Sequence, residues 1–296
     1  MSDDRTESET VGGGMRSIAE SPTVDFSGGI GDFFHRAWKT DILQILDEAQ
    51  DMVNVLQICN NRSAHDLLYW HPKRHLFRLF DAYPVKCYWV NKGIDPGKAD
   101  EMCHEHFGIP VGNKAWRRFD NPLVLDERGP VNYYTPVWYP DRRIKVASGA
   151  IVFAPGAGLP GRAIPDDLQV RILLGLIAHG LEVHALYRNE PVPRGVLLLA
   201  ENPLLHVHTS LSMAATAQLV RDCWAAVCSH SAILQLSWFE RKRTVAIYPA
   251  GHRDWMKERN PYTWGRKRES SLNLPFDPHG ANSAEVIART AAHLTR

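Results

Sequence analysis

Apolar residues along this chain fall into short continuous runs and one-sided stripes, and the two patterns alternate. From Phe33 the apolar positions are Phe33, Phe34, Ala37, Trp38, Ile42, Ile45, Leu46 and Ala49, a single face of an amphipathic helix. Ahead of that helix a short strand from Thr23 runs into Gly28, Gly29 and Gly31, with Asp32 at the junction. The pattern then predicts a strand over 52–59, a helical stretch through Leu67, Leu68, Leu76, Phe77 and Phe80 broken at Pro72, a strand over 85–90, and a helix over 96–107 ended by Gly108. Residues 110–143 are richer in proline and aromatics, with two short strands over 122–125 and 131–138. Beyond them the alternation resumes. Strands are expected over 150–154, 181–187, 195–200, 225–228 and 244–248, with helices over 166–178, 212–223, 231–239 and 282–294.

Strands alternating with helices imply βαβ units and parallel sheets. Two α/β halves of similar size, each opened by a strand and a glycine turn, predict two Rossmann-like domains, with the cleft between them as the ligand site. The expected division is a disordered segment over 1–20, an N-terminal domain over 21–143, a C-terminal domain over 144–280 and a closing helix over 281–296.

Composition limits the partners. At 296 residues and 44% hydrophobic content the chain can bury substantial cores. Lys and Arg number 34 against 33 Asp and Glu, a formal charge of +1, so no global field favours nucleic acid or an anionic membrane. The five cysteines form no C-x-x-C pair and lie mostly in apolar runs, as buried thiols in a reducing compartment do. No apolar run reaches the length of a membrane span and the N-terminus does not read as a signal peptide. The expectation is a cytoplasmic protein.

Several stretches carry chemistry. A glycine turn feeding a helix start offers positive φ, close backbone approach and free N–H groups, and Asp32 either caps that helix or stands at the rim of a site. In the second half, Gly156, Gly158 and Gly161 lead to Arg162, a combination suited to a phosphate or diphosphate, against the alternative of a solvated connection. The strand over 225–228 delivers Ser229, His230 and Ser231 to a helix start, where capping competes with phosphate contact. The runs Cys103-His104-Glu105-His106 and His206-Val207-His208 look like metal ligands, but spaced partners are missing, so no metal is expected. Arg253, Lys257, Arg259, Arg266, Lys267 and Arg268, interleaved with Trp255, Tyr262 and Trp264, suit nucleic acid, a glycan or donor phosphates equally, or else a loop packed between domains.

The glycine turn 28–32, the block Gly156 to Pro165, and the blocks at His208-Thr209-Ser210-Leu211, Ser229-His230-Ser231-Ala232 and 244–249 together resemble the lipopolysaccharide heptosyltransferases and related GT-B glycosyltransferases. This resemblance implies a two-domain GT-B fold with a nucleoside-diphosphate sugar on the C-terminal domain and an acceptor on the N-terminal one. It implies Asp32 as general base, and a donor site including Gly29, Gly31, Gly156, Gly158, Arg162, His208, Ser229, His230, Ser231 and Gln235. Transfer would be inverting and need neither metal nor cofactor, the nucleotide sugar being the donor substrate. The acceptor would be a glycan or lipid-linked saccharide, or a hydroxymethylated base in DNA. Three positions depart from the family pattern: His230 precedes Ser231-Ala232 where the family has an acid, Gln235 replaces a histidine, and His208 replaces a lysine. Two other readings stay open, a non-catalytic nucleotide-sugar-binding protein and an NAD(P)-dependent oxidoreductase. For the latter, the acid expected beyond the second strand has no match around the first glycine turn.

Overall fold

The structure is a computed structural model that describes residues 16–28, 31, 33–34, 40–59, 68, 71–116, 144–188, 190–240, 242–252, 271–277, 280 and 282–295. Its first sheet has three parallel strands, β1 (Thr23–Gly28), β2 (Val53–Cys59) and β3 (Phe77–Asp81), in that order. Helix α1 (Ile42–Glu48) connects toward β2, and α2 (Tyr83–Asn91) and α3 (Pro96–His106) follow β3. Asp95 caps α3 by accepting hydrogen bonds from the N–H groups of Gly97 and Lys98, and Gly108 follows the helix at a φ of 65°.

Two expectations fail in this half. Phe77 and Phe80 lie on β3, not on a helix, because the run Phe77–Asp81 pairs in register with Val53 to Gln57. Residues 85–90 belong to α2 instead of a strand: Pro84 sits in the first helical turn, where its missing N–H costs nothing. The strands expected over 122–125 and 131–138 lie outside the described residues.

The second sheet has six parallel strands in the order β6-β5-β4-β7-β8-β9. They are β4 (Ile151–Ala154), β5 (Val183–Tyr187), β6 (Leu205–Thr209), β7 (Ala225–Ser229), β8 (Arg243–Pro249) and β9 (Ser271–Phe276). Between them run α4 (Asp166–Ala178), α5 (Arg194–Leu199), α6 (Met213–Asp222) and α7 (Ala232–Phe239), and α8 (Ser283–Leu294) closes the chain. The sheet builds outward from β4 on one side, then returns to start again at β7 on the other, the doubly wound order with a switch point between β4 and β7. The strand expected over 195–200 is helix α5, and the edge strand of that side is β6.

Burial divides the molecule into layers. One apolar cluster joins Phe26, Phe33 and Phe34 of the first half to Val152, Ala154, Leu234 and Phe239 of the second, and the rings of Phe34 and Phe239 lie 5.8 Å apart. A second cluster covers the opposite face of the six-stranded sheet, with Leu168, Ile172 and Leu176 of α4 and Val286 and Leu294 of α8. Helix α8, expected to return to the N-terminal half, packs instead against α4, β8 and β9, where Ile287 approaches Gly175. Its apolar stripe finds a ready groove there. No helix among the described residues is long and apolar enough to cross a membrane.

Candidate functional site

At the carboxyl ends of β4, β5, β6 and β7 lies a cavity of about 460 Å³, placed over the switch point where doubly wound sheets bind ligands. Each strand end contributes a wall. Beyond β4 the chain turns through Pro155, Gly156, Ala157 and Gly158, and the turn is closed by the Ile164 N–H donating to the Pro155 carbonyl at 2.9 Å. Gly156 leaves space that the Glu190 side chain fills: a Cβ there would lie 1.7 Å from a carboxylate oxygen of Glu190. Ser229, at the end of β7, donates its hydroxyl to the Gly156 carbonyl and pins the turn from the other side of the switch point.

The wall from β5 consists of Leu186, Tyr187, Arg188 and Glu190. The Tyr187 hydroxyl donates to Gln169 Oε1 at 2.8 Å, and Gln169 Nε2 donates to the Ile164 carbonyl at 2.7 Å, tying strand end, turn and α4 together. Burial raises the Tyr187 phenol well above its ordinary value, so it stays protonated.

From β6 come His208, Leu211 and Met213. Ser210, between them, holds a φ of 60°, the one positive φ outside glycine among the described residues. Such a conformation is most often kept where the surrounding structure needs it. The Ser210 N–H donates to the Tyr187 carbonyl at 3.1 Å, and the Ser212 hydroxyl caps α6 through the Ala215 N–H. His208 Nε2 lies 2.9 Å from His184 Nδ1, and burial, with the neighbouring His184 and His206 rings, drives the His208 pKa down to about 4. His208 is therefore a neutral ring at pH 7, one nitrogen donating and the other accepting.

The last wall is the start of α7: Ser231, Ala232 and Ile233. Ser231 occupies the cap position without a side-chain cap bond, and its buried Oγ finds no partner among the described residues. The first N–H groups of α7 thus open on the cavity next to an unused hydroxyl, with Arg188 as the cation on the wall. This suits a phosphate group. Gly31 abuts the same helix start from the first half; a Cβ on it would lie 3.3 Å from Ala232 Cα and 3.7 Å from Gln235 Cγ.

The structure thus brings together Gly156, Gly158, His208 and Ser231 on one cavity, with Ser229 behind them, and sets Gly31 against α7 beside its buried Gln235. Arg162 stands on the short turn Pro160–Arg162 and is not on the cavity wall, and buried His230 faces His252, the two Nδ1 atoms 3.3 Å apart. Asp32, Gly29 and the basic-aromatic run 253–268 lie outside the described residues. Arg188 and Glu190 were missed by sequence reasoning. Both stand just past β5, and only the pairing of β5 with β4 brings them to the cavity, so the sequence pattern alone carries no signal for them.

The two histidine runs separate. On α3, Cys103 donates to the Ala82 carbonyl and His104 Nε2 lies 3.6 Å from Asp25, while Glu105 and His106 face solvent, so neighbouring residues diverge around the helix. Among the described residues they belong to no group of three ligands; Glu182, His184 and His206 do form one.

No protein-family model matches the sequence, and no curated protein matches it. Solved structures do. The ADP-bound E. coli heptosyltransferase WaaC aligns with a TM-score of 0.60 at 10% identity, over 92% of this chain and 99% of that one. The E. coli ADP-heptose lipopolysaccharide heptosyltransferase II gives 0.58 at 15% identity, over 93% and 98%. A family 9 glycosyltransferase from Veillonella parvula gives 0.55 at 12% identity, over 95% and 99%. At these identities the likeness speaks to the fold, and the resemblance to heptosyltransferases holds along nearly the whole chain: this protein has the α/β fold, with parallel sheets, of those glycosyltransferases.

Proposed function

We propose that the chain is a GT-B glycosyltransferase that moves a sugar from a nucleoside-diphosphate sugar to an acceptor hydroxyl, with residues 21–143 forming the acceptor side and 144–280 the donor side. The observation that carries this reading is the cavity at the β4/β7 switch point, where an uncapped helix start, the Ser231 hydroxyl and Arg188 converge. In the resting site the diphosphate lies against the N–H groups of α7 and Arg188. Glu190 accepts hydrogen bonds from sugar or ribose hydroxyls, and neutral His208, its Nε2 engaged by His184, offers its other ring nitrogen. As the anomeric bond breaks, negative charge grows on the diphosphate, and groups already oriented toward it stabilise that change without further rearrangement.

Asp32, one residue beyond the Gly31 that abuts α7, is proposed as the base that removes the acceptor proton in an inverting, metal-independent transfer. Asp32→Asn should abolish transfer while leaving nucleotide affinity, measured by calorimetry, within about threefold; unchanged turnover would remove Asp32 from the mechanism. A panel of nucleoside diphosphates and their sugars in a thermal-shift assay tests the donor site itself. For the acceptor, saccharide and hydroxymethylated DNA are separated by an electrophoretic shift that depends on Arg266 to Arg268.

One observation favours a dinucleotide instead. Gly156, Gly158 and Gly161 stand at the spacing of a dinucleotide fingerprint after β4, and Glu190 at the end of the next strand sits where such folds hold a ribose. The next helix argues against it. Helix α4 begins only at Asp166, with Asp166 and Asp167 in its first turn, so the glycines do not open onto helix N–H groups and two carboxylates oppose a pyrophosphate. A change in NADH or NADPH fluorescence on mixing would reinstate this reading.

A further inference from the structure

We propose that Glu182, His184 and His206 form a binding site for one divalent transition-metal ion, zinc by the chemistry of its donors, on the β5–β6 side of the six-stranded sheet. None of the three residues lines the cavity, and metal binding here does not depend on the proposed transfer reaction.

The placement follows from strand geometry. His184 on β5 pairs directly with His206 on β6, and Glu182, two residues before His184, lies on the same face. Sequence spacing within β6 suggested His206 with His208 and found no partners; the adjacent strand supplies them. One ligand atom from each of the three residues falls within 4.8 Å of the other two. His184 Nε2 is 3.0 Å from Glu182 Oε1, and His206 Nε2 is 3.7 Å from the same oxygen. Two imidazole nitrogens and a carboxylate oxygen, with a fourth position left to water, make a donor set that zinc accepts.

Burial is graded as such a site needs. The His184 ring is 2% exposed, Glu182 22% and His206 43%, so one ligand is fixed in the protein and the outer one opens to solvent. The His184 and His206 rings are stacked with centroids 4.7 Å apart. The half-exposed His206 has room to turn its ring edge inward and complete the site.

The second nitrogen of His184 is already engaged. Nδ1 lies 2.9 Å from His208 Nε2, the outer hydrogen bond that metal-bound histidines use to fix their orientation. A metal on Nε2 leaves the His184 proton on Nδ1, so His208 Nε2 accepts and the His208 proton moves to its other nitrogen. Both rings stay neutral. The ion therefore sets the tautomer of a ring that lines the cavity.

The test is calorimetric titration of Zn²⁺ into the full chain after chelation and removal of the chelator, with Co²⁺ visible spectra as a second readout. One equivalent should bind, with the d–d bands of tetrahedral nitrogen and oxygen coordination. His206→Ala should weaken binding more than about a hundredfold, and His208→Leu, which removes the outer partner, about ten- to a hundredfold. Glu182→Gln, neutral and nearly the same shape, repeats the ligand test without a cavity. His104→Ala should leave binding unchanged. Absence of stoichiometric binding, retention of tight binding in His206→Ala and Glu182→Gln, or loss in His104→Ala alone would overturn the proposal.

Discussion

Single residues at the cavity show how closely side chains are fitted to one backbone. Gly156 faces the Glu190 carboxylate so tightly that alanine would push the carboxyl group aside. The end of a glutamate side chain can move, so Gly156→Ala should cost less than about 1 kcal/mol of stability, read by urea unfolding. What it should change is the donor site. With Glu190 displaced, nucleotide-sugar affinity measured by calorimetry should fall about tenfold, while affinity for the bare diphosphate, which uses α7 and Arg188, changes little. The buried thiols give a prediction on pH. Burial pushes Cys223 and Cys228 from an ordinary value near 9 to about 12. Between those values the unfolded chain loses these protons and the folded chain keeps them, so the unfolded state binds fewer protons and stability falls as pH rises. Melting temperatures should therefore drop above about pH 9, and Cys228→Ala should flatten that drop relative to its own melting point at neutral pH.

At the scale of elements, α5 offers the sharpest case. Its Gly195 backs onto Val170 of α4, and a Cβ there would come within 2.7 Å of a valine methyl. Alanine gains about 1 kcal/mol of helix propensity, but a branched side chain fixed in a helix cannot yield, and overpacking costs about 1–3 kcal/mol. Gly195→Ala should thus destabilise by about 1 kcal/mol in urea, the reverse of what an exposed helix would give. This same element read as a strand from sequence, as did α2. Apolar runs such as Gly195 to Leu199 have no period of their own, and what decided them was Pro193 before α5 and Pro84 within α2. The edge strand β9 was missed for the opposite reason: Pro275 interrupts it, which only an edge tolerates. Where glycines and small polar residues follow buried strands, at Gly156, Ser229 and Ser231, positions at or just behind the cavity wall could be picked out from the sequence. Arg188, Glu190 and the Glu182–His184–His206 group could not, because their meaning depends on which strand lies beside which.

Across the whole molecule, each sheet keeps an apolar cluster of its own, and a third cluster is shared between the two. Phe26, Phe33 and Phe34 share one buried cluster with Leu234, Trp238 and Phe239, and α6 and α7 belong to that cluster while also flanking the cavity. The helix whose N-terminus is proposed to hold the diphosphate is therefore also the helix that the first sheet packs on. Two consequences follow from this sharing. First, unfolding should be cooperative: Phe239→Ala, which empties a fully enclosed aromatic position beside Phe34, should cost about 3–5 kcal/mol and lower a single calorimetric transition instead of splitting it into two. Resolution into two transitions, with the variant moving only one, would show that each half folds on its own. Second, a ligand bound at α7 should stabilise both halves together, by RT ln(1 + [L]/Kd), about 2.7 kcal/mol at a hundredfold excess over Kd. Amide exchange in β2, a strand remote from the cavity wall, should then slow with nucleotide as strongly as exchange in β7; protection confined to β7 would mean that the shared core does not transmit binding to the first sheet.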